Sequence, residues 1–320
     1  MNETDGIFKE LEITPVRIDL PFRLNHVNVF MAEGEEGWKI LDTGLHDERT
    51  EAKWDELLDG KKVSDLLISH YHPDHFGCAG YLQRKTGARV SMSEIDADSG
   101  IHVWEEDFIL KIRQNYVLAG VPEETAVQMT SNTKEFTSKV TPYPKIDHYF
   151  KEGDLVQFGR YSYEVLFAPG HSDGLVVLYC KEKNILLSTD HILPKITPNI
   201  AYWFHGIENP LAVYMESLKK IRKLDIDFVI PCHGRPFHNA NERIDEILEH
   251  HRKRVESTLY NIGKGSDIYS VCRRLFNKPL NIHETRFALG ETIAHLEYLR
   301  HRGEVKREMG DTCWLYKRIE

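Results

Sequence analysis

Residues 16–32 and 38–42 alternate apolar and polar side chains on either side of a Glu/Gly turn at 33–37, which predicts two strands, each with one face buried. A polar amphipathic helix follows at 47–59, then a short apolar run at 63–69 suited to a buried strand. Pro73 and Asp74 open a predicted helix that runs to Lys85 and closes at Gly87. From 94 to 138 apolar positions such as Ile101, Trp104, Phe108, Ile112 and Tyr116 recur at helical intervals, and a Thr/Pro-rich connection then leads to Pro144. This stretch, about 94–145, reads as an inserted helical cap. Strands return at 155–158, 161–168, 174–180 and 185–188, followed by a helix at 211–223 and the strand DFVIP. The order suits an α/β (α+β) fold of two sheets, each covered by helices, because every sheet must bury a face.

A long polar helix begins near Asn239 and reaches Gly263 and Gly265, where the pattern changes and a domain joint is expected. Residues 268–277 and 285–302 read as helices, and residues 304–319 as a hairpin turning at Gly310-Asp311. Short helices closed by a hairpin describe a winged-helix-like domain. The expected division is therefore 1–240, then 241–320 as a linker helix plus that domain. No internal repeat is visible.

With 320 residues and 41% hydrophobic content the chain has material for a substantial core, which excludes a disordered or fibrous protein. The net charge of −9 makes no demand for nucleic acid. There is no run of about 18 apolar residues and no basic, then apolar, leader at the N-terminus, so a cytoplasmic protein without a membrane segment is expected. Cys78, Cys180, Cys232, Cys272 and Cys313 are scattered and form no C-x-x-C pair, which argues against a disulfide framework or a thiolate zinc knuckle.

Histidine is the informative residue type. His70-Tyr71-His72-Pro73-Asp74-His75 sets four potential ligands in six residues directly after a buried strand. In an extended segment residues i and i+2 face the same way, so His70 and His72 converge on one ion while the turn at Pro73 redirects Asp74 and His75 toward a second. Imidazole with carboxylate suits zinc and also iron or manganese. Downstream, His171, Asp190 and His233 each lie just beyond an apolar strand and beside a turn residue, which puts them on the same edge.

These residues resemble the metallo-β-lactamase superfamily, whose HxHxDH motif is matched in full and whose later His, Asp and His ligands are matched in order. The resemblance spans roughly 16–240. It implies a four-layer αβ/βα sandwich, with His70, His72 and His171 on one metal, Asp74, His75 and His233 on the other, and Asp190 bridging both. Asp42, in ILDTG, matches the early Asp motif and is implied to orient the histidines from behind. Two divalent ions per chain, zinc first, are the implied cofactors. The family's usual Gly-Asp before the bridging carboxylate is Thr189-Asp190 here, a departure that concerns local backbone rather than the ligand. Two adjacent cations acidify a bridging water and polarise the group under attack, so hydrolysis is the expected chemistry, with Asp74 orienting the nucleophile or taking its proton.

The catalytic half together with a winged-helix-like C-terminus is similar to the β-lactamase-like protein 2 and hydroxyacylglutathione hydrolase group, which implies a small ester or thioester substrate. The alternative reading is an endoribonuclease acting on single-stranded RNA. Residues 241–320 carry 15 basic and 13 acidic side chains against 26 and 37 in the first 240. Arg286, Arg300, Arg302, Lys306 and Arg307 are interrupted by Glu291, Glu297, Glu304 and Glu308, so nucleic acid is not the favoured partner. The C-terminal region is instead expected to close one side of the site and to support a homodimer. Tyr202, Trp203, Phe204 and His205, with Trp104 and Tyr116, are candidates to line an apolar pocket or to be core. His26 and His191 are candidate neighbours of the metals. His250, His251 and Arg252 read as polar contacts on a charged helix rather than ligands.

Overall fold

The fold is that of a computed structural model, which describes residues 3–319. The first sheet holds β1 (Ile13–Asp19), β2 (His26–Gly34), β3 (Gly37–Leu41), β4 (Val63–Leu67), β5 (Arg89–Met92) and β6 (His148–Tyr149), in that spatial order. The second holds β7 (Leu155–Phe158), β8 (Tyr161–Phe167), β9 (Val176–Cys180), β10 (Ile185–Thr189) and β11 (Phe228–Pro231). β12 (Ser266–Asp267), β13 (Val305–Met309) and β14 (Trp314–Arg318) make a small third sheet, ordered β12-β14-β13. The helices are α1 (Glu3–Leu11), α2 (Glu48–Leu57), α3 (Pro73–Phe76), α4 (Ala79–Thr86), α5 (Glu94–His102), α6 (Glu106–Leu118), α7 (Glu123–Glu135), α8 (Pro210–Ile221), α9 (Ala240–Ile262), α10 (Ile268–Leu275) and α11 (Ile282–His301).

Strand composition follows burial. β9, β10 and β11 are buried at every position and read as continuous apolar runs, because both faces are covered. Val176, Leu178 and Cys180 of β9 pack with the first sheet, whereas Val177 and Tyr179 face a second core built with α8, α9 and α11. Trp54 of α2 and Leu82 of α4 belong to the core of the first sheet. The result is a helix, sheet, sheet, helix stack. The inserted helices α6 and α7 supply Ile112, Tyr116, Ala126 and Met129 to the second core, so the insertion, the second sheet and the C-terminal segment share one continuous interior. Among the described residues no helix is long and apolar enough to cross a membrane.

Several expectations need correction. The strand expected over 16–32 is two, β1 and β2, paired antiparallel with Val16 opposite Val29 and Ile18 opposite Val27. The break falls at Pro21, which has no N–H to give to a ladder. The single helix expected from Pro73 to Lys85 is α3 and α4, because the Cys78 N–H leaves the helix to bond the Gly44 carbonyl at 2.9 Å. Gly80, in the first turn of α4, presses so closely on the Pro142 carbonyl that a Cβ there would stand 1.7 Å from the oxygen. That contact seats the end of the insertion on the catalytic half. α11 starts at Ile282, three residues before the expected start, behind a capping box in which Asn281 Oδ1 accepts from the Glu284 N–H at 2.8 Å and Glu284 answers the Asn281 N–H at 3.1 Å. α1, β5, β6 and β12 had no counterpart in the sequence reading.

Candidate metal centre

The strands deliver every motif residue to one edge. β3 and β4 are parallel, as are β10 and β11, and β8 runs alongside β10 through antiparallel β9. Asp42, the His70–His75 loop, His171, Asp190 and His233 all follow the C-terminal ends of these strands.

Four of the five rings, those of His70, His75, His171 and His233, are held by a hydrogen bond on the outward nitrogen, which fixes the inward one. His171 Nδ1 donates to the Asn199 carbonyl at 2.8 Å, and His233 Nδ1 to the His26 carbonyl at 2.7 Å. His75 Nδ1 donates to Asp42 Oδ2 at 2.8 Å. Ser69 Oγ gives its proton to Asp42 Oδ2 at 2.8 Å and so accepts from His70 Nδ1 at 2.9 Å. Asp42 also accepts the Ser69 N–H at 2.8 Å and lies 3.5 Å from the Cys232 thiol. It is fully buried, with a backbone in the left-handed region at φ 60°. The implied orienting role of Asp42 thus has a physical route, direct to His75 and through Ser69 to His70.

The inward nitrogens gather in two groups. His70 Nε2 is 3.1 Å from His72 Nδ1, which is 2.9 Å from His171 Nε2. The outward protons of His70 and His171 are already committed, so three nitrogens face one another with at most one proton among them, an arrangement that a cation resolves. The second group is Asp74, His75 and His233, whose Nε2 stands 3.3 Å from Asp74 Oδ2. Asp190 Oδ2 lies between the groups, 3.4 Å from His171 Nε2, 3.5 Å from His75 Nε2 and 3.3 Å from His233 Nε2. His75 Nε2 and Asp190 Oδ1 are buried and have no hydrogen-bond partner among the described residues. Buried polar atoms left open and converging in this way fit metal ligands.

The electrostatics point the same way. Burial, with the other imidazoles beside them, holds His70 and His72 well below the ordinary histidine range, in the neutral form that ligates metal. Burial opposes a charge on His75 and His233 too, but Asp190 and Asp74 overcome it and raise both, His233 to about 10. Burial likewise works against Asp74, yet His75 and His233 bring its carboxyl down to about 2. In the metal-free chain those two rings carry the positive charge that the carboxylates demand, and a divalent cation supplies it better.

Some functional positions lay outside the sequence reading. Asp96, buried at the start of α5, accepts from the Tyr71 N–H at 3.2 Å, Ser172 Oγ at 2.6 Å and the Gly174 N–H at 2.6 Å, tying the loop of His70 and His72 to that of His171. Its only sequence signal is an acidic side chain three positions after Ser93, which caps α5 by accepting from the Asp96 N–H at 3.3 Å. The His26 ring stays out of the ligand groups and its carbonyl accepts from His233, while both ring nitrogens of His191 are buried against Tyr214 without partners among the described residues.

Above the ligands opens a cavity of about 480 Å³ with a mostly apolar lining. His72, Asp74, His171, Asp190 and His233 contribute to its wall. Trp104, Tyr116, Trp203 and His205 line it, whereas Tyr202 and Phe204 pack into the second core. α11 supplies another wall through His283, Arg286, Phe287 and Glu291. His251 is buried against Tyr214 and His295, and Arg252 is exposed and paired with Glu249 and Glu256, so neither joins the ligands.

The Metallo-beta-lactamase superfamily profile matches residues 23–233, and that of the metallo-beta-lactamase-like C-terminal domain matches 262–319. A probable metallo-hydrolase of Bacillus subtilis, YqjP, is 23% identical over 301 residues, covering 90% of this chain and 92% of its own. A hydroxyacylglutathione hydrolase of Cereibacter sphaeroides is 22% identical over 188 residues, 59% of this chain and 54% of its own. The crystal structure of a beta-lactamase domain protein from Burkholderia ambifaria superposes with a TM-score of 0.85 at 29% identity, covering 96% of this chain and 92% of that one. With the profile spanning most of the chain and the ligand groups assembled on one sheet edge, the protein belongs to the metallo-β-lactamase superfamily of metal-dependent hydrolases.

Proposed function

We propose that the chain is a dinuclear zinc hydrolase of a small ester or thioester. The observation that carries this reading is the position of Asp190 Oδ2 within 3.5 Å of ligand nitrogens from both groups, at the wall of an apolar cavity large enough for a small-molecule substrate. His70, His72 and His171 would hold one ion, and Asp74, His75 and His233 the other, with Asp190 shared. When bound, the two ions supply Lewis acidity and lower the pKa of water.

The chain's own residues do the rest. Asp74 has the most exposed carboxylate of the set and lines the cavity, placed to orient an attacking water through Oδ2 and to receive its proton. The Asn199 and His26 carbonyls and the Asp42 carboxylate keep the imidazoles from rotating as charge develops. Trp104, Phe108 and Trp203 exclude bulk water and favour an apolar acyl or thiol portion. The hydroxyacylglutathione hydrolase relative supports a thioester in particular.

The experiment is elemental analysis of the purified protein together with turnover on thioesters, lactones, phosphodiesters and single-stranded RNA. About two zinc ions per chain with thioester or lactone hydrolysis is the expected result. Cleavage of RNA alone, falling steeply with added salt, would replace this reading with the ribonuclease, and failure to bind metal after reconstitution would overturn it.

A further inference from the structure

Four of the five cations that stand out in the C-terminal sequence are matched by acids of the same segment. Arg300 Nε is 2.6 Å from Glu297, Arg302 Nε 2.7 Å from Glu304, Lys306 Nζ 2.6 Å from Glu308 and Arg307 Nη1 3.1 Å from Glu297. Arg286 differs. It lies on α11 in the wall of the cavity, and among the described residues it forms no ion pair. The nearby acids are engaged elsewhere, Glu284 by Arg23 at 3.7 Å and Glu291 by Arg254 at 3.4 Å.

The guanidinium has little else to satisfy it. Nη1 donates to Asn132 Oδ1 at 3.2 Å, Nε is buried with no acceptor among the described residues, and the group lies 5.9 Å from the centre of the Trp203 ring. Burial holds the neighbouring His283 down to about 4, so at neutral pH it carries no charge; the other arginine and lysine of the lining are Arg23, paired with Glu284, and the exposed Lys278. A cation partly removed from water, with Nε open in the wall of a mostly apolar cavity, lacks an acceptor among the described residues. Its planar fork matches carboxylate or phosphate oxygens, and the flat face of Trp203 limits its swing.

Resting on the hydrolase reading above, we infer that Arg286 binds an oxyanion carried by the substrate in addition to the bond that is cleaved. The substrate class is therefore an ester or thioester with an apolar body and a carboxylate or phosphate group. The insertion shares in this recognition, because Asn132 belongs to α7 and its Oδ1 accepts from the guanidinium.

The test uses the zinc-loaded full chain and two readouts. Calorimetric titration compares 4-biphenylcarboxylate, 4-biphenylphosphonate and the neutral 4-biphenylcarboxamide on the wild-type protein, Arg286→Gln and Arg286→Lys. One anion is expected to lose about tenfold or more in affinity in Arg286→Gln and to recover in part in Arg286→Lys, while the carboxamide is unchanged. Which anion responds identifies the source as carboxylate or phosphate. In kinetics, wild-type kcat/KM is expected to favour an aryl thioester bearing a distal carboxylate or phosphonate over its carboxamide analogue, and Arg286→Gln to abolish that preference but retain turnover of the neutral analogue. Equal losses for all three ligands, or anion affinity indifferent to Arg286, would overturn the inference. Absence of any thioester turnover with the Arg286-dependent binding intact would instead count against the hydrolase reading alone.

Discussion

His75 Nδ1 lies 2.8 Å from Asp42 Oδ2, and both side chains are fully buried. The carboxylate comes from the first residue beyond β3, at φ 60°, and the ring from α3, so one hydrogen bond ties the end of an interior strand to the ligand loop. Asn tolerates the left-handed region well and preserves the size of the side chain, but its amide cannot accept from His75, Ser69 N and Ser69 Oγ together. Asp42→Asn is expected to fold and to bind metal about 10–100-fold more weakly. Competition with a chromogenic chelator measures this, and wild-type affinity would remove Asp42 from the support of the ligands.

Asp190 faces both ligand groups, so its removal tests whether they act as one centre. Asp190→Ala should lower occupancy of both positions rather than one, read as metal per chain by elemental analysis after dialysis. Full occupancy with full activity would refute the bridging assignment.

The site was far more legible in the sequence than its supports. His70, His72, Asp74 and His75 fall within six residues, and His171, Asp190 and His233 each follow an apolar strand, so strand periodicity alone carried them to a common edge. Asp96 left almost no trace, because it acts by accepting from the backbone of Tyr71 and Gly174, and such contacts depend on loop shape rather than residue type. Arg286 was visible only as one of several C-terminal cations; that it lacks the glutamate the others have is a fact of three-dimensional neighbours. Pro21 shows a local signal outvoted by a longer pattern, since the apolar alternation runs through the strand break.

Asp96→Ala would leave the Tyr71 N–H, Ser172 Oγ and Gly174 N–H without their acceptor in a buried setting. At about 1–3 kcal/mol for each stranded group, a loss of roughly 3 kcal/mol or more in unfolding free energy is expected. Metal affinity should fall as well, because the two loops that present His72 and His171 lose their tie. Urea unfolding with and without zinc checks both effects, and a loss under about 1 kcal/mol would show that water replaces the carboxylate.

The pair His251 and His295 sets a pH dependence remote from the ligands. His295 Nδ1 donates to the Glu291 carbonyl at 2.7 Å, so its Nε2 accepts from His251 Nδ1 at 3.4 Å and both rings are neutral. Burial pushes His251 down to about 2 and His295 down to about 4. The unfolded chain, with histidines near 6.5, takes up protons that the folded chain refuses as the pH falls below that value. The folded state is therefore favoured above the unfolded pKa, and that advantage is lost on acidification toward about pH 4, at up to about 1.4 kcal/mol per pH unit for each ring. In the metal-free protein His251→Gln should remove one proton's share of the slope of unfolding free energy against pH between about 6 and 4.5. The slope, rather than the absolute stability of the variant, is the quantity to measure by urea unfolding; an unchanged slope would mean that His251 protonates as freely in the folded chain as in the unfolded one.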